Sequence, residues 1–539
     1  MILNRRGFLT FTAAAGGTLL VGCGGPAAQH TGSALGEDAL AKVLPSYVPV
    51  EYAKPDLPGV NGSLAGYLKF PANLVDAVKD KVLNGGEVTA MTPAFWPLPP
   101  GLGENSYWEA VNQRIGGTVK FEQVQGADYQ AKLGAMVAAK QVPEITVMPT
   151  FTIPPRFSEG VGQVFADLTD LLSGDNVKDY PLLANIPSES WHACVYGGRL
   201  YGVPFQGEMF PETIMYRRDI IEQLGGQAPK NVDEFFQLCK KINDPGANRW
   251  ALGDVFRSMV RVFGDPGDWS RDSSGKVVNK IETEAYKEAV KFTRSLFEAG
   301  FVHPNIVAGG NTGINELFEG GQMLIHLAGM GFWGEAMRRQ RPTNPSFGLE
   351  AMPLFAHDGG KPRYIVSAPT AMVTLFRKDL SADRIRELLR LTNFVAAPVG
   401  TTEHYLVNYG VEGKHSVRDA SGAPGLNELG RKEVTLTYGF MSRAPEAIID
   451  AQYPDFVKAK HAWFADAYQH QVRPPTFGLR IEEPAEYTKL PKEFEDRTGD
   501  FLRGRRPLSE VDQLAEEWRK AGGDKLREFY DKALSDAGR

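Results

Sequence analysis

Residues 87–148 have the sequence EVTAMTPAFWPLPPGLGENSYWEAVNQRIGGTVKFEQVQGADYQAKLGAMVAAKQVPEITVM. The alternation of apolar and polar residues predicts strands at 87–92, 118–124 and 145–148, with helical patterns between them. Strands that alternate with helices through short connections indicate a parallel sheet covered by helices on both faces. This stretch therefore predicts an α/β fold.

The helix signals within this stretch concern its two helix starts. Residues 106–109, Ser-Tyr-Trp-Glu, form a predicted capping box. Trp108 repeats at helical spacing with Val111, which assigns it to the core and not to a ligand site. Asp128 is a predicted N-cap for a helix at 129–139.

Further elements are predicted along the rest of the chain. Asn231 is a predicted N-cap for one helix, a second helix is predicted at 284–299, and a third follows Ser381. Residues 265–279 form a polar turn region with the character of a hairpin. The charged residues from about 482 onward predict a helical end to the chain.

The N-terminus has the pattern of a targeting signal. Paired arginines at 5–6 precede an apolar run at 7–22, which is shorter than the roughly 20 residues that span a bilayer. Residues 20–23, Leu-Val-Gly-Cys, resemble a bacterial lipobox, and the arginine pair resembles a twin-arginine signal. We expect residues 1–22 to be removed and Cys23 to carry the lipid. The alternative is a short N-terminal anchor with an incidental cysteine.

Composition constrains the rest of the chain. The 539 residues, 42% hydrophobic and 23% charged, are typical of a soluble globular protein large enough for more than one domain. The net charge of −6 gives no support for nucleic-acid binding. Residues 23–86 are rich in Pro, Gly and Ala and predict a tether followed by an irregular arm. Cys194 and Cys239 are either buried thiols or a disulfide pair.

Several segments, taken in order, resemble one protein family. They are GRLYGVP (198–204), TIMYRRD (213–219), PKNVDEF (229–235), LFEGGQM (317–323) followed by GFW (331–333), and YGVEG (409–413). These segments are similar to those of the extracellular family 1 solute-binding proteins, in the subgroup with LplA-type and alginate-type binding lipoproteins. The resemblance covers roughly residues 87–475.

This resemblance implies a two-lobe, type II periplasmic-binding-protein-like fold. Two α/β lobes are joined by crossing strands, and the ligand lies between them, at the carboxyl ends of the strands. Hinge motion closes the lobes on the ligand. By this resemblance the first lobe is 87–207 plus 350–400, and the second is 208–349 plus 401–539.

The resemblance also implies a function. We expect a monomeric, lipid-anchored protein on the extracytoplasmic face of the membrane. It captures a carbohydrate, presumed oligomeric because the chain is long, and delivers it to the permease of an ABC importer. No cofactor, no metal and no bond chemistry are expected.

A sugar site needs an aromatic plate and a few fixed polar groups. Phe95 and Trp96 follow the first strand, although Trp96 could instead pack beneath its own loop. Trp333 matches a ligand-stacking tryptophan of the family, with a buried core residue as the alternative. Glu208 follows Pro204 by four positions, as a ligand carboxylate does in the family, and is otherwise a solvated charge at the hinge.

Weaker candidates complete the predicted ligand site. They are Arg156, Arg363 and Tyr405, followed by Phe151, Asp128 and Tyr364. The two arginines keep an anionic sugar open as the ligand, because they are candidates for facing the cleft. Asp128 has its predicted capping role as an alternative, and for Arg363 and Tyr364 the alternative is that they only line the hinge.

Enzyme classes find little support. The sequence has no Gly-x-Ser-x-Gly, His-Glu-x-x-His or phosphate-loop motif. A glycoside hydrolase needs only two carboxylates, so its sequence pattern is not diagnostic, and it stays an alternative together with binding of a peptide. Residues 268–272 lack the glycine and the final glutamate of a calcium loop and are interpreted as a polar turn.

Overall fold

The computed structural model describes residues 36–154, 156–310 and 312–539. The predicted signal at 1–22 and Cys23 lie outside the described residues. Two central sheets organise the described part. Their strands in chain order are β1 (Glu87–Ala94), β2 (Thr118–Gln125), β3 (Ile145–Pro149), β4 (Gly202–Gln206), β5 (Glu212–Arg217), β6 (Trp250–Leu252), β7 (Met323–Gly329), β8 (Leu349–Ala351) and β9 (Thr370–Phe376).

The first sheet has the strand order β2-β1-β3-β9-β4. Strand β1 runs parallel to β2, with Glu87 opposite Thr118, and parallel to β3, with Ala90 opposite Ile145. Strand β9 lies antiparallel between β3 and β4. The three predicted parallel strands and the α/β fold class are confirmed, and β9 adds an antiparallel strand from much later in the chain.

The second sheet has the strand order β8-β5-β7-β6. Strand β5 is antiparallel to both β8 and β7, whereas β7 and β6 are parallel. Small two-stranded ladders surround the two sheets: Ala65–Gly66 with Ala447–Ile448, Val195–Tyr196 with Arg199–Leu200, Trp269–Arg271 with Val277–Asn279, Tyr364–Ile365 with Gln471–Val472, and Ser416–Arg418 with Pro424–Leu426.

Helices cover both sheets. Those of eight or more residues are Ser106–Ile115, Gly126–Ala139, Phe157–Val164, Val232–Ile242, Glu284–Glu298, Met330–Gln340, Ala382–Val395, Thr402–Tyr409, Pro454–Ala467, Leu490–Leu502, Val511–Trp518 and Asp524–Asp536. Shorter helices are Glu37–Ala41, Thr169–Leu172, Pro181–Ala184, Arg218–Gln223, Phe256–Val262, Pro304–Val307, Ile314–Glu319 and Glu428–Glu433. None of the described helices has both the length and the apolar character needed to cross a membrane.

The first predicted capping box is wrong by one residue. Asn105 is the N-cap, and its side-chain oxygen accepts a hydrogen bond from the Trp108 amide at 3.0 Å. Ser106 instead donates its hydroxyl hydrogen to a carboxylate oxygen of Glu433 at 2.7 Å. Asparagine and serine cap equally well in general, so a tertiary contact decides between neighbouring candidates.

The other helix starts divide between one error and two confirmations. The helix Gly126–Ala139 begins before Asp128, which is exposed within its first turn and does not cap it. Asn231 caps its helix by accepting from the Glu234 amide at 2.9 Å, and Ser381 caps the helix that follows it. The predicted hairpin and the helical C-terminal region are also confirmed.

Two hydrophobic cores lie under the two sheets. The first is built mainly from 40–205 and 372–397, but it also takes Val407, Tyr438 and Met441. The second is built from 210–366 and 448–534. In this packing, 350–366 lies with the second core and part of 401–441 lies with the first. Cys194 and Cys239 are buried in different cores, and both are free thiols.

A candidate ligand site between the two lobes

The chain passes between the two cores near 207–210, near 367–369 and again near 442–447. Beside these crossings lies a cavity of about 440 Å³. Its wall is formed by 150–151 after β3, by 192–193, by 207–211 and 367–371 at the crossings, and by 478–480. The cavity therefore opens at the carboxyl end of a parallel strand, where α/β sheets bind ligands.

An exposed aromatic face borders this cavity on the first lobe. Phe95 follows β1 and Phe151 follows β3; their side chains are 51% and 65% exposed, and their ring centroids lie 6.1 Å apart. Phe440 is buried behind Phe95, and the centroids of these two rings lie 6.2 Å apart. Gly126 lets the Phe95 ring lie against the start of the next helix, since a Cβ there would come within 2.4 Å of that ring. Large exposed aromatic groups of this kind mark binding surfaces.

Trp96 lies behind this face. It is half-buried, its ring centroid is 5.3 Å from that of Phe440, and it does not line the cavity. The packing alternative for Trp96 therefore describes its position, and Phe95 is the exposed residue of this loop, beside Phe151, which lines the cavity.

A charged cluster lies at the crossings and reaches the cavity wall through Glu208. Lys460 Nζ lies 3.6 Å from a carboxylate oxygen of Glu208, and Arg443 lies 3.2 Å from a carboxylate oxygen of Glu446. The two carboxyl groups lie close enough for the charge of Glu446 to act on Glu208. Glu208 is thus placed at the cavity wall, as the sequence predicted, but it already has protein partners.

These contacts shift the pKa values of the two acids in opposite directions. Burial, together with the charge of Glu446, raises the pKa of Glu208 to about 8. Burial acts against the ionised form of Glu446 as well, but Arg443 and Lys460 outweigh it and hold the pKa of Glu446 below its usual range. Glu208 therefore keeps its proton at neutral pH, and Glu446 is ionised.

Two predicted ligand residues are core residues instead. Trp333 is 1% exposed, and its indole N–H donates to the Leu349 carbonyl at 2.6 Å, so the prediction that it stacks on a ligand is wrong. Tyr405 is 6% exposed, packs edge-on against Phe70, and shares a hydrogen bond of 3.0 Å with Ser416, so its predicted place in the cleft is wrong.

The two predicted arginines lie away from the cavity. Arg156 is exposed and pairs with Glu159 at 2.5 Å. Arg363 borders a separate space of about 30 Å³ in the second lobe. Tyr364 is buried there, and its hydroxyl donates to the carbonyl of Glu212. None of these three lines the cavity between the lobes.

Sequence reasoning missed several lining residues. Thr150 directly follows β3 beside Phe151, so the strand-end rule could have found it. Ser367 lies at the second crossing and belongs to no motif. Arg480 lies just before the charged C-terminal region and carried no motif. No group of three or more His, Cys, Asp or Glu within the described residues is arranged to hold a metal ion.

Comparison with known proteins finds relatives that cover most of the chain. A relative from Bacillus subtilis (strain 168), the polygalacturonan/rhamnogalacturonan-binding protein YtcQ, is 23% identical over 438 residues, which is 77% of this chain and 85% of that protein. Lipoprotein LipO from the same organism is 19% identical over 83% of this chain and 91% of its own length.

Solved structures agree with this. An HMO-binding, ABC-transporter-associated solute-binding protein from Bifidobacterium longum infantis aligns with a TM-score of 0.61 at 13% identity, over 84% of this chain and 99% of that one. The fold is therefore that of the type II periplasmic binding proteins. Residues 101–374, about half of the chain, match the model of the family described as bacterial extracellular solute-binding protein. The chain belongs to this family of extracellular solute-binding proteins.

Proposed function

We propose that this protein captures an oligosaccharide between its two lobes and delivers it to an ABC importer. The observation that carries the proposal is the exposed aromatic face, Phe95 and Phe151, beside a cavity that also presents backbone and hydroxyl groups. A sugar ring has one apolar C–H face and a rim of hydroxyls, and such a wall complements both. At about 440 Å³ the cavity falls within the usual range of small-ligand sites.

The names of similar proteins support a carbohydrate ligand. YtcQ is named for binding polygalacturonan and rhamnogalacturonan, and the Bifidobacterium protein is described as HMO-binding. The family as a whole is extracellular and binds solutes. A peptide remains the alternative ligand class.

We further propose that the protein acts as a monomer on the outer face of the membrane, held by a lipid on Cys23. The lipobox-like sequence at 20–23 supports this anchor, and the relative LipO is named a lipoprotein. The lobes we propose are 87–207 with 370–441, and 208–366 with 448–539, as their core packing suggests.

The geometry of the cavity does not favour a glycoside hydrolase. Glycosidases hold two carboxyl groups about 5 to 9.5 Å apart on either side of the scissile bond. Among the described residues that line the cavity, Glu208 is the only carboxylate, so the wall does not present a second acid across a bound sugar. We therefore propose binding without bond cleavage.

Thermal unfolding in the presence of candidate ligands tests this function. A ligand that binds only the folded state at 100 times its Kd adds about 2.7 kcal/mol to the free energy of unfolding. We expect a saturable rise in Tm with one class of oligosaccharide and unchanged sugar in the recovered solution. Cleavage of the bound sugar would contradict the binding role, and a rise with peptides alone would contradict the carbohydrate ligand.

A further inference from the structure

A segment near the C-terminus reaches across from the second lobe to the first. We call residues 473–483 the C-terminal strap. It follows Gln471–Val472, which pairs with Tyr364–Ile365 of the second lobe. Its first residue, Arg473, pairs with Glu189 of the first lobe at 2.7 Å.

The far end of the strap is also fixed to the first lobe. A carboxylate oxygen of Glu482 accepts hydrogen bonds from the amide and the hydroxyl of Ser158, at 3.0 and 2.6 Å. Glu483 then accepts from the hydroxyl of Tyr530 in the second lobe at 2.9 Å. Because it is fastened at both ends, the middle of the strap has a defined position, and residues 478–480 form one wall of the cavity.

Arg480 brings a cation to that wall, and it forms no ion pair with the residues that the structure describes. Its Nε is buried and has no hydrogen-bond partner within the described part of the chain. Its guanidinium carbon lies 5.5 Å from the ring centroid of buried Tyr196, which supports the side chain from behind. By contrast, Arg473 on the same strap has its carboxylate partner. Buried polar groups in proteins are nearly always satisfied, so an arginine that lines a cavity without an ion pair among the described residues favours a partner supplied by the ligand.

Glu208, the acidic side chain of the cavity wall, does not neutralise the charge of Arg480. Glu208 is held by Lys460 and Glu446, and burial raises its pKa so that it keeps its proton at neutral pH. The cavity therefore presents a net positive charge to its occupant, which favours an anionic group.

We propose that Arg480 binds a carboxylate of the ligand, and that the ligand is an oligosaccharide containing uronic acids. The proposal rests on the proposed function and specifies its substrate class. A guanidinium offers parallel N–H donors that match the two oxygens of a carboxylate, and a neutral sugar leaves those donors without a charged partner.

Calorimetric titration of the full-length protein in mild detergent tests the proposal. The probes are oligogalacturonate and oligomannuronate, each compared with its methyl ester, which has the same sugar rings without the charge. We expect the wild-type protein to bind one acid form at least tenfold more tightly than its ester. We expect Arg480→Gln to weaken the acid form by ten- to fiftyfold and the ester by less than threefold, and Arg480→Lys to fall between.

Arg505→Gln is the matched control, because it removes an exposed, ion-paired cation that does not line the cavity. It should change the affinity for the acid form by less than threefold. An equal loss in both variants, or equal affinity of the wild type for acid and ester, would overturn the role of Arg480. If only neutral oligosaccharides bind, this inference fails and the proposed function stands; if acidic peptides bind and no sugar does, both fail. Unfolding midpoints of each variant separate lost affinity from lost folding.

Discussion

The aromatic face and the charged cluster border the same cavity, but they differ in how far the protein itself satisfies them. Phe95 and Phe151 stand half or more exposed, with water over their outer faces. Glu208 and Glu446 lie near each other, and each has a cation of the protein beside it. The difference suggests that the charged cluster maintains the crossings between the lobes, whereas the aromatic face is available to a ligand.

The largest effect should come from breaking the charged cluster. Glu446→Ala leaves Arg443 and Lys460 without their shared anion, and removing one partner of a buried pair costs about 3 kcal/mol. Urea unfolding followed by tryptophan fluorescence measures this loss. Glu298→Ala, at an exposed ion pair with Arg294, is the control and should cost less than about 0.5 kcal/mol. Equal losses would show that the cluster has no special structural role.

The next effect sharpens the comparison through pH. The pKa of Glu208 is raised from 4.5 to about 8 in the folded protein. Between these values the unfolded chain releases a proton that the folded chain retains, so the free energy of unfolding falls as the pH rises through this window.

Glu208→Gln removes this dependence. Its stability relative to the wild type should therefore improve by about 3 kcal/mol between pH 5 and pH 8. Urea unfolding of both proteins at pH 5, 6.5 and 8 tests the sign. If the free energy of unfolding changed with pH equally in the two proteins, the raised pKa of Glu208 would be contradicted.

The smallest effect concerns the aromatic face and appears in affinity, not stability. Phe151→Ala should weaken oligosaccharide binding about tenfold, near 1.4 kcal/mol, because the sugar loses a stacking surface. The free energy of unfolding should change by less than about 0.5 kcal/mol, since the side chain is exposed. Leu98→Ala, equally exposed but away from the cavity wall, is the control for titration calorimetry. A stability loss without an affinity loss would reverse the assignment.

Local patterns predicted the elements well. Strands β1, β2 and β3, the hairpin and the helices after Asn231 and Ser381 depend on periodicity and capping within a few residues. The position of β9 between β3 and β4 depends on pairing between distant segments, which leaves no local signal.

The site was harder to predict for the same reason. Whether a tryptophan stacks on a ligand or packs in a core depends on its surroundings, and for Trp333 the carbonyl of Leu349 decides. Arg480 reaches the cavity only because Glu482 bonds to Ser158 on the other lobe. The sequence offered Phe95 as a candidate because it follows a predicted strand, and Glu208 because its spacing from Pro204 matches the family.

Strand β9 has a consequence for the order in which the molecule assembles. The first sheet is incomplete until β9 joins β3 to β4, and its core also takes Tyr438 and Met441. By the time the ribosome has made these residues, every strand of the second sheet has already been synthesised. The lobe that begins first thus finishes late, and its contacts of long sequence separation should make its closure the slow step of folding. Neither lobe can complete its core until the C-terminal part of the chain has been made.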